Sequence, residues 1–123
     1  MVALQFAHAL EEFVFEFWDA FPPMRAVYGG VSGLGVFVLF HTILIVFGLW
    51  CVREVRRGGV GARAALFAWI AIQTVTVAVH VAWFVVDPRY QPGLATTPVF
   101  VATIAVAIRA FESERVGRES RAD

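Results

Sequence analysis

From Ala26 to Val52 the chain reads AVYGGVSGLGVFVLFHTILIVFGLWCV, 27 residues without a charge when His41 is neutral. A bilayer core needs about 20 such residues to be crossed by a helix. A second uncharged run, AALFAWIAIQTVTVAVHVAWFVV, covers the 23 residues from Ala64 to Val86. A third, Leu94 to Ile108, holds only 15. Arg109 can snorkel and let Ala110 and Phe111 extend it, and Thr97 before Pro98 reads as an N-cap followed by the first helical residue. The expected fold is therefore an all-α integral membrane protein. A single domain, 1–123, would hold three spans at 26–52, 64–86 and 94–111, with a charged tail over 112–123. The rival for the third segment is a re-entrant or interfacial helix.

Composition agrees. Hydrophobic residues make up 59% and charged residues 16%, against roughly a quarter charged in an ordinary soluble domain. The net charge is zero and all ten basic residues are Arg, so no overall field points to nucleic acid. Lys and Asn, both with A-rich codons, are missing, which fits a GC-rich genome. The single cysteine, Cys51, excludes an intramolecular disulfide and a multi-cysteine metal site. At the edge of the first span it reads as apolar filler, with lipidation as the rival.

Residues 3–21, ALQFAHALEEFVFEFWDAF, tempt a fourth span, but Glu11, Glu12, Glu16 and Asp19 oppose it. An acid at a helix centre costs about 2.5–3.5 kcal/mol on the insertion scale. At 100° per residue, Gln5, His8, Glu12, Glu16 and Asp19 share one face and Phe6, Phe13, Phe17 and Phe21 lie opposite. The expectation is an amphipathic helix lying in the membrane interface, its acids in water, ended by Pro22 and Pro23. No basic n-region precedes it, which argues against a signal peptide.

Arg53, Arg56, Arg57 and Arg63 sit between the first two spans, and Arg109, Arg115, Arg118 and Arg121 follow the third. With three spans these groups fall on one side, which the positive-inside rule makes cytoplasmic. That parity predicts N-out, C-in, with the loop DPRYQPGLATT outside. The short loop REVRRGGVGAR joins the first two spans as a helical hairpin. The alternating charges of the tail predict fraying.

The second span carries two stripes. Trp69, Gln73, Thr76, His80, Trp83 and Asp87 are spaced 4, 3, 4, 3, 4 on one face, and Ala64, Ala68, Ala71, Val75, Ala78 and Ala82 repeat the spacing roughly opposite. The first stripe is polar and aromatic; the second is a small-residue seam that lets membrane helices approach closely. Gly29 and Gly33 form a GxxxG in the first span, a packing motif that also recurs by chance.

Intramembrane histidines are functional candidates. Measured from the expected outer ends of their spans, His41 and His80 differ in depth by about 13 Å, too far for one metal or one haem within a chain. That leaves a b-type haem shared between subunits, or a proton path along His80, Thr76, Gln73 and His41. The blander reading is interhelical hydrogen bonding that fixes register. His8, Glu12 and Glu16, at i, i+4 and i+8, could bind a divalent cation, but a solvated polar face gives the same pattern, so no metal is expected.

No Ser-His-Asp pattern, HExxH or phosphate-cradling glycine loop is present. The leading expectation is a non-catalytic membrane structural or accessory subunit. It would sit in the lipid bilayer and assemble as a homo-oligomer or with other membrane subunits through the second span. The alternatives are a small channel or proton-conducting oligomer, a haem-binding anchor, and a virion membrane protein. In size and Lys-free composition the chain is similar to the small internal membrane proteins of pleomorphic archaeal viruses and to small accessory subunits of respiratory complexes. No residue motif carries either likeness, so location in a cell membrane or a viral membrane stays open.

Overall fold

The computed structural model describes residues 1–28, 31–58 and 61–119, with side chains for all of these except 31, 111, 112 and 114–119. Six helices follow in order, and among the described residues there is no strand: α1 (Val2–Val14), α2 (Phe17–Ala20), α3 (Pro22–Tyr28), α4 (Val31–Arg57), α5 (Gly61–Val86) and α6 (Thr97–Glu119). The uncharged runs become α4 and α5, packed as the expected hairpin. Ser32–Arg57 and Gly61–Val86 are long and apolar enough to cross a membrane, with mean hydropathy 2.4 and 1.8. Leu39, Phe40, Val46, Leu49, Val75 and Val85 stand exposed along them, an apolar surface of the kind that meets lipid or a partner.

The third segment is shorter as an apolar helix, Thr97–Ala110. Its cap lies one residue earlier than expected: Thr96 O accepts from Val99 N and Phe100 N, so Pro98 sits second in the first turn. The tail expected to fray is helical through Glu119.

The N-terminal segment differs most from expectation. Three residues of its polar face are not solvated: Gln5, His8 and Glu12 are nearly inaccessible, while Glu16 and Asp19 are exposed and Phe6, Leu10, Phe13 and Val14 face outward. Met1 and Val2 pack against Cys51, Ala65 and Trp69, and ten residues on from Val2, Glu12 meets His41. The same ten-residue interval separates His41 from Cys51, so α1 runs antiparallel to α4 as a member of the bundle. Its start lies toward the Arg-rich loop, not away from it as N-out required. The expectation placed these acids in water because an acid at a helix centre is costly. Here each of the two central acids has partners inside the protein, as the next section describes.

The segment also breaks earlier than Pro22. Glu16 takes a left-handed backbone, φ 51°, uncommon for a residue with a Cβ. Pro22 and Pro23 then open α3 instead of ending a helix, in a first turn that needs no N–H from them. Glu16 consequently leaves the His8–Glu12 face and is exposed. Gly33 packs on Trp18 of α2, where an added Cβ would come 3.2 Å from the Trp18 Cβ. The contact expected of the GxxxG is thus made within the chain at Gly33, and Gly29 lies outside the described residues.

Candidate metal centre

All three histidines of the chain converge on one carboxylate. Glu12 Oε2 lies 2.8 Å from His41 Nε2, and Glu12 Oε1 lies 3.2 Å from His80 Nε2 and 3.5 Å from His8 Nε2. The group is brought together by α1, α4 and α5, and Phe100 of α6, fully inaccessible, closes it with an edge-to-face contact on His8. The depth estimate that separated His41 from His80 is corrected here. Span one was measured from Ala26, but α4 starts at Val31, so His41 is ten residues in and His80 six from Val86. The remaining offset is about 6 Å, which two imidazoles reaching for one carboxylate span.

The tautomers follow from the outer ring nitrogens. His41 Nδ1 lies 3.0 Å from the Phe37 carbonyl, so it must carry a proton and donate. His8 Nδ1 lies 2.6 Å from Thr96 Oγ1. That hydroxyl donates to Glu11 Oε2 at 2.8 Å, so it accepts from His8 Nδ1–H. When neutral, His8 and His41 therefore both turn an Nε2 lone pair toward the Glu12 oxygens. Lone pairs facing a carboxylate in a buried site repel unless something positive stands between them. Consistent with this, His8 Nε2 and Glu12 Oε2 make no well-formed hydrogen bond despite being buried.

Glu11 serves from outside. Its carboxylate accepts from Ala95 N at 2.9 Å, Thr96 N at 3.0 Å, the Thr96 hydroxyl and Tyr90 Oη–H at 2.7 Å. It thus joins the end of α1 to the start of α6, where unpaired N–H groups favour an anion. Burial and the Glu11 carboxylate push the Tyr90 phenol up to about 12. The loop between α5 and α6 folds onto the bundle: Gln91 and Gly93 are buried. Gly93 has φ +86°, and a Cβ there would land 2.5 Å from His80 Cε1 and 2.6 Å from His8 Cε1. Only glycine lets the loop lie on both imidazoles.

The residues suit a transition-metal ion. One ligand atom from each of His8, Glu12 and His80 lies within 4.8 Å of the others, and two ligands about 2 Å from a tetrahedral ion stand about 3.3 Å apart. The Glu11–Thr96–His8 chain and the Phe37 carbonyl on His41 are the outer partners that fix ligand tautomers in metal sites. An intersubunit haem would need His41 or His80 turned outward, whereas both point at Glu12 in their own chain.

Of the α5 stripe, Trp69, Gln73 and His80 are buried, Thr76 and Trp83 half-buried, and Asp87 pairs with exposed Arg89 at the helix end. Thr76 turns its hydroxyl to Ile72 of its own helix and the Gln73 amide makes no hydrogen bond among the described residues, so these two side chains do not link His80 to His41. Ala64, Ala71, Ala78 and Ala82 are exposed and Ala68 half-buried, leaving that seam uncovered by the chain itself. Glu11, His8 and Thr96 were missed as partners of the histidines. The signal available was the spacing of His8 and Glu12 together with the fact that the chain has only two other histidines.

Neither the curated proteins nor the solved structures include a match to the chain. A family model described as "Protein of unknown function with HXXEE motif" matches residues 1–108, and the motif reads His8-Ala9-Leu10-Glu11-Glu12. The chain belongs to this HXXEE family, and the motif's named residues are the three that α1 contributes to the cluster and its support.

Proposed function

We propose that the protein is a membrane-embedded metalloprotein whose His8, Glu12 and His80 hold one divalent transition-metal ion, with His41 held against the other oxygen of Glu12. The observation that carries this is the convergence of all the chain's histidines on a buried carboxylate, two of them with the outer nitrogen already committed as a donor. Imidazole and carboxylate without thiolate suit zinc, and also iron, copper or nickel. Cys51 packs with Ala65 and Trp69, apart from the site. The Arg-rich loop and α6 end would face the cytoplasm, in a multi-pass arrangement with α1 held among the spans.

The test is purification in mild detergent with metal analysis by plasma mass spectrometry, then cobalt substitution. The expected result is close to one ion per chain and the intense visible bands of low-coordinate cobalt. The competing arrangement is a Glu12 carboxylate paired with a protonated imidazole; protein that takes up no metal after dialysis against zinc would establish that instead.

A second reading concerns assembly and rests on the exposed alanine seam of α5. Close approach of a second copy, or of another membrane subunit, along Ala64, Ala71, Ala78 and Ala82 would make the protein an oligomer. Mass determination of the detergent-solubilised complex decides it, and a monomer would remove this reading.

A further inference from the structure

A cavity of about 310 Å³ lies at the Arg-rich end of the bundle, far from the histidines, with Val2, Gly48, Cys51, Val52, Arg56 and Trp69 in its wall. Gly48, Cys51, Val52, Val55 and Arg56 follow one another at intervals of 3, 1, 3 and 1, so one face of α4 forms the long side. At one end the Trp69 ring comes up against Gly48. Arg56 stands about 12 Å further along the helix, the only charged side chain in the described lining. Val52 and Val55 are exposed, so the cavity opens on the flank of the bundle. Val2 of α1 faces them, and a chain lying there would fill the gap between the start of α1 and the hairpin.

Depth and charge together specify the occupant. Trp50 is exposed next to this face, and Arg53, Arg56 and Arg57 follow it, all exposed. With α4 crossing a bilayer, an exposed Trp followed by Arg marks the head-group level. The cavity then runs from that level into the acyl region, its cation at the polar end and its aromatic floor at the apolar end. Four Arg and one Glu lie between residues 51 and 63, a surplus that favours an anionic head over a zwitterionic one. Glu54 lies 3.7 Å from Arg57, whereas Arg56 makes no ion pair among the described residues. Its guanidinium is left to an outside anion, and its fork of N–H donors matches a phosphate. The volume, at the low end of about 300–1,000 Å³ for ligand pockets, takes part of one acyl chain and leaves the rest among lipids.

We infer that this cavity holds one anionic phospholipid, its phosphate on the Arg56 guanidinium and one acyl chain laid along Val52 toward the Trp69 ring. The inference rests on the membrane-embedded part of the reading above and not on the metal. Its test is native mass spectrometry of the full chain in mild detergent at physiological salt, titrated with dioleoyl phosphatidylglycerol or dioleoyl phosphatidylcholine. The expected result is saturable retention of one phosphatidylglycerol per chain, with the choline lipid of identical chains held far more weakly. Arg56→Gln should weaken phosphatidylglycerol by about tenfold or more, the scale of a hydrogen bond to a charged group. Arg53→Gln removes the same charge from outside the cavity wall and should change retention by about threefold at most. Val52→Trp, which narrows the channel, should also reduce retention, with the thermal midpoint in lipid-free detergent reporting that each variant is folded. Equal retention of the two lipids, equal losses in the two Arg variants, full retention in Val52→Trp, or displacement of the lipid by millimolar inorganic phosphate would each overturn the inference. The first three would mean an unselective lipid annulus, the last a plain anion site. Release of the chain from membranes by carbonate washing would overturn the membrane reading first, and this one with it.

Discussion

The same three helices, α1, α4 and α5, build two layers ten or eleven residues apart, and the layers are made on opposite principles. In one, Cys51, Ala65 and Trp69 are buried with Met1, Val2 and Phe47 against them. Gly48 lets the end of the Trp69 ring approach α4 closely, where an added Cβ would come within 2.6 Å of it. This layer is held by dispersion and close packing. In the other, a carboxylate and three imidazoles are buried together, with several polar atoms lacking good hydrogen bonds. Taking an ion out of water costs several kcal/mol, and a buried ion pair often stabilises no more than well-packed apolar residues. The tryptophan layer is therefore expected to hold the bundle together. The histidine layer is expected to be retained for what it binds, and substitutions should separate the two roles.

The largest contrast is between Glu12→Gln and Trp69→Ala. Glu12→Gln removes the anion on which all three imidazoles converge, so zinc uptake should fall from one ion per chain to none by metal analysis. The thermal midpoint of the metal-free protein should change little, because an ill-satisfied buried charge is lost with it. Trp69→Ala should do the reverse. Truncating a buried Trp costs about 3–5 kcal/mol, seen as a lower thermal midpoint in detergent, while folded protein keeps its zinc. A folded Trp69→Ala variant that no longer binds zinc would show that the layers are not independent.

The asymmetry also explains what could be read in advance. The hairpin of α4 and α5 was legible because long uncharged runs have few alternatives, and the burial of Trp69, Gln73 and His80 followed from a 4-3-4 stripe. The histidine layer was not, for two reasons rooted in the same residues. Within a local window each acid of α1 is a lone charge whose natural place is water; the partners of Glu12 come from residues 29 and 68 positions further on, beyond any local pattern. The uncharged run holding His41 begins at Ala26, whereas the helix carrying it begins at Val31. The inward fold of the Gln91–Gly93 loop depends on Gly93 touching two imidazoles, and nothing in DPRYQPGLATT alone announces that. Glu16 breaks α1 in a left-handed conformation that a non-glycine residue seldom signals.

A finer cut through the histidine layer is Thr96→Val, which keeps the shape of the side chain and removes the hydroxyl between His8 and Glu11. His8 then loses the acceptor that fixes its tautomer, and Glu11 loses one donor of four. Outer-partner losses of this kind weaken metal affinity by about 10–100-fold. Competition with a zinc chelator should show a drop in that range with stoichiometry still one. An unchanged affinity would mean that the Glu11–Thr96–His8 chain does not orient the ligand.

The smallest expected effect lies at the rim, where Tyr90 donates to Glu11 at 2.7 Å but is itself more than half exposed. Water can replace a hydrogen bond there, so Tyr90→Phe should cost at most about 1 kcal/mol near neutral pH and lower zinc affinity less than Thr96→Val does. Its signature is in the pH dependence. The phenol, ordinarily near 10, is raised to about 12 by burial and by Glu11, so folding favours its protonated form. That contribution is fully present below pH 10 and is lost as pH rises through 12. Thermal midpoints measured across this window should converge: the unmodified protein loses its small advantage over Tyr90→Phe as the phenol ionises. Curves that stay parallel from pH 9 to pH 12 would mean that the Tyr90–Glu11 bond contributes nothing to holding the loop against α1, and that Glu11 is oriented by the Ala95 and Thr96 donors alone.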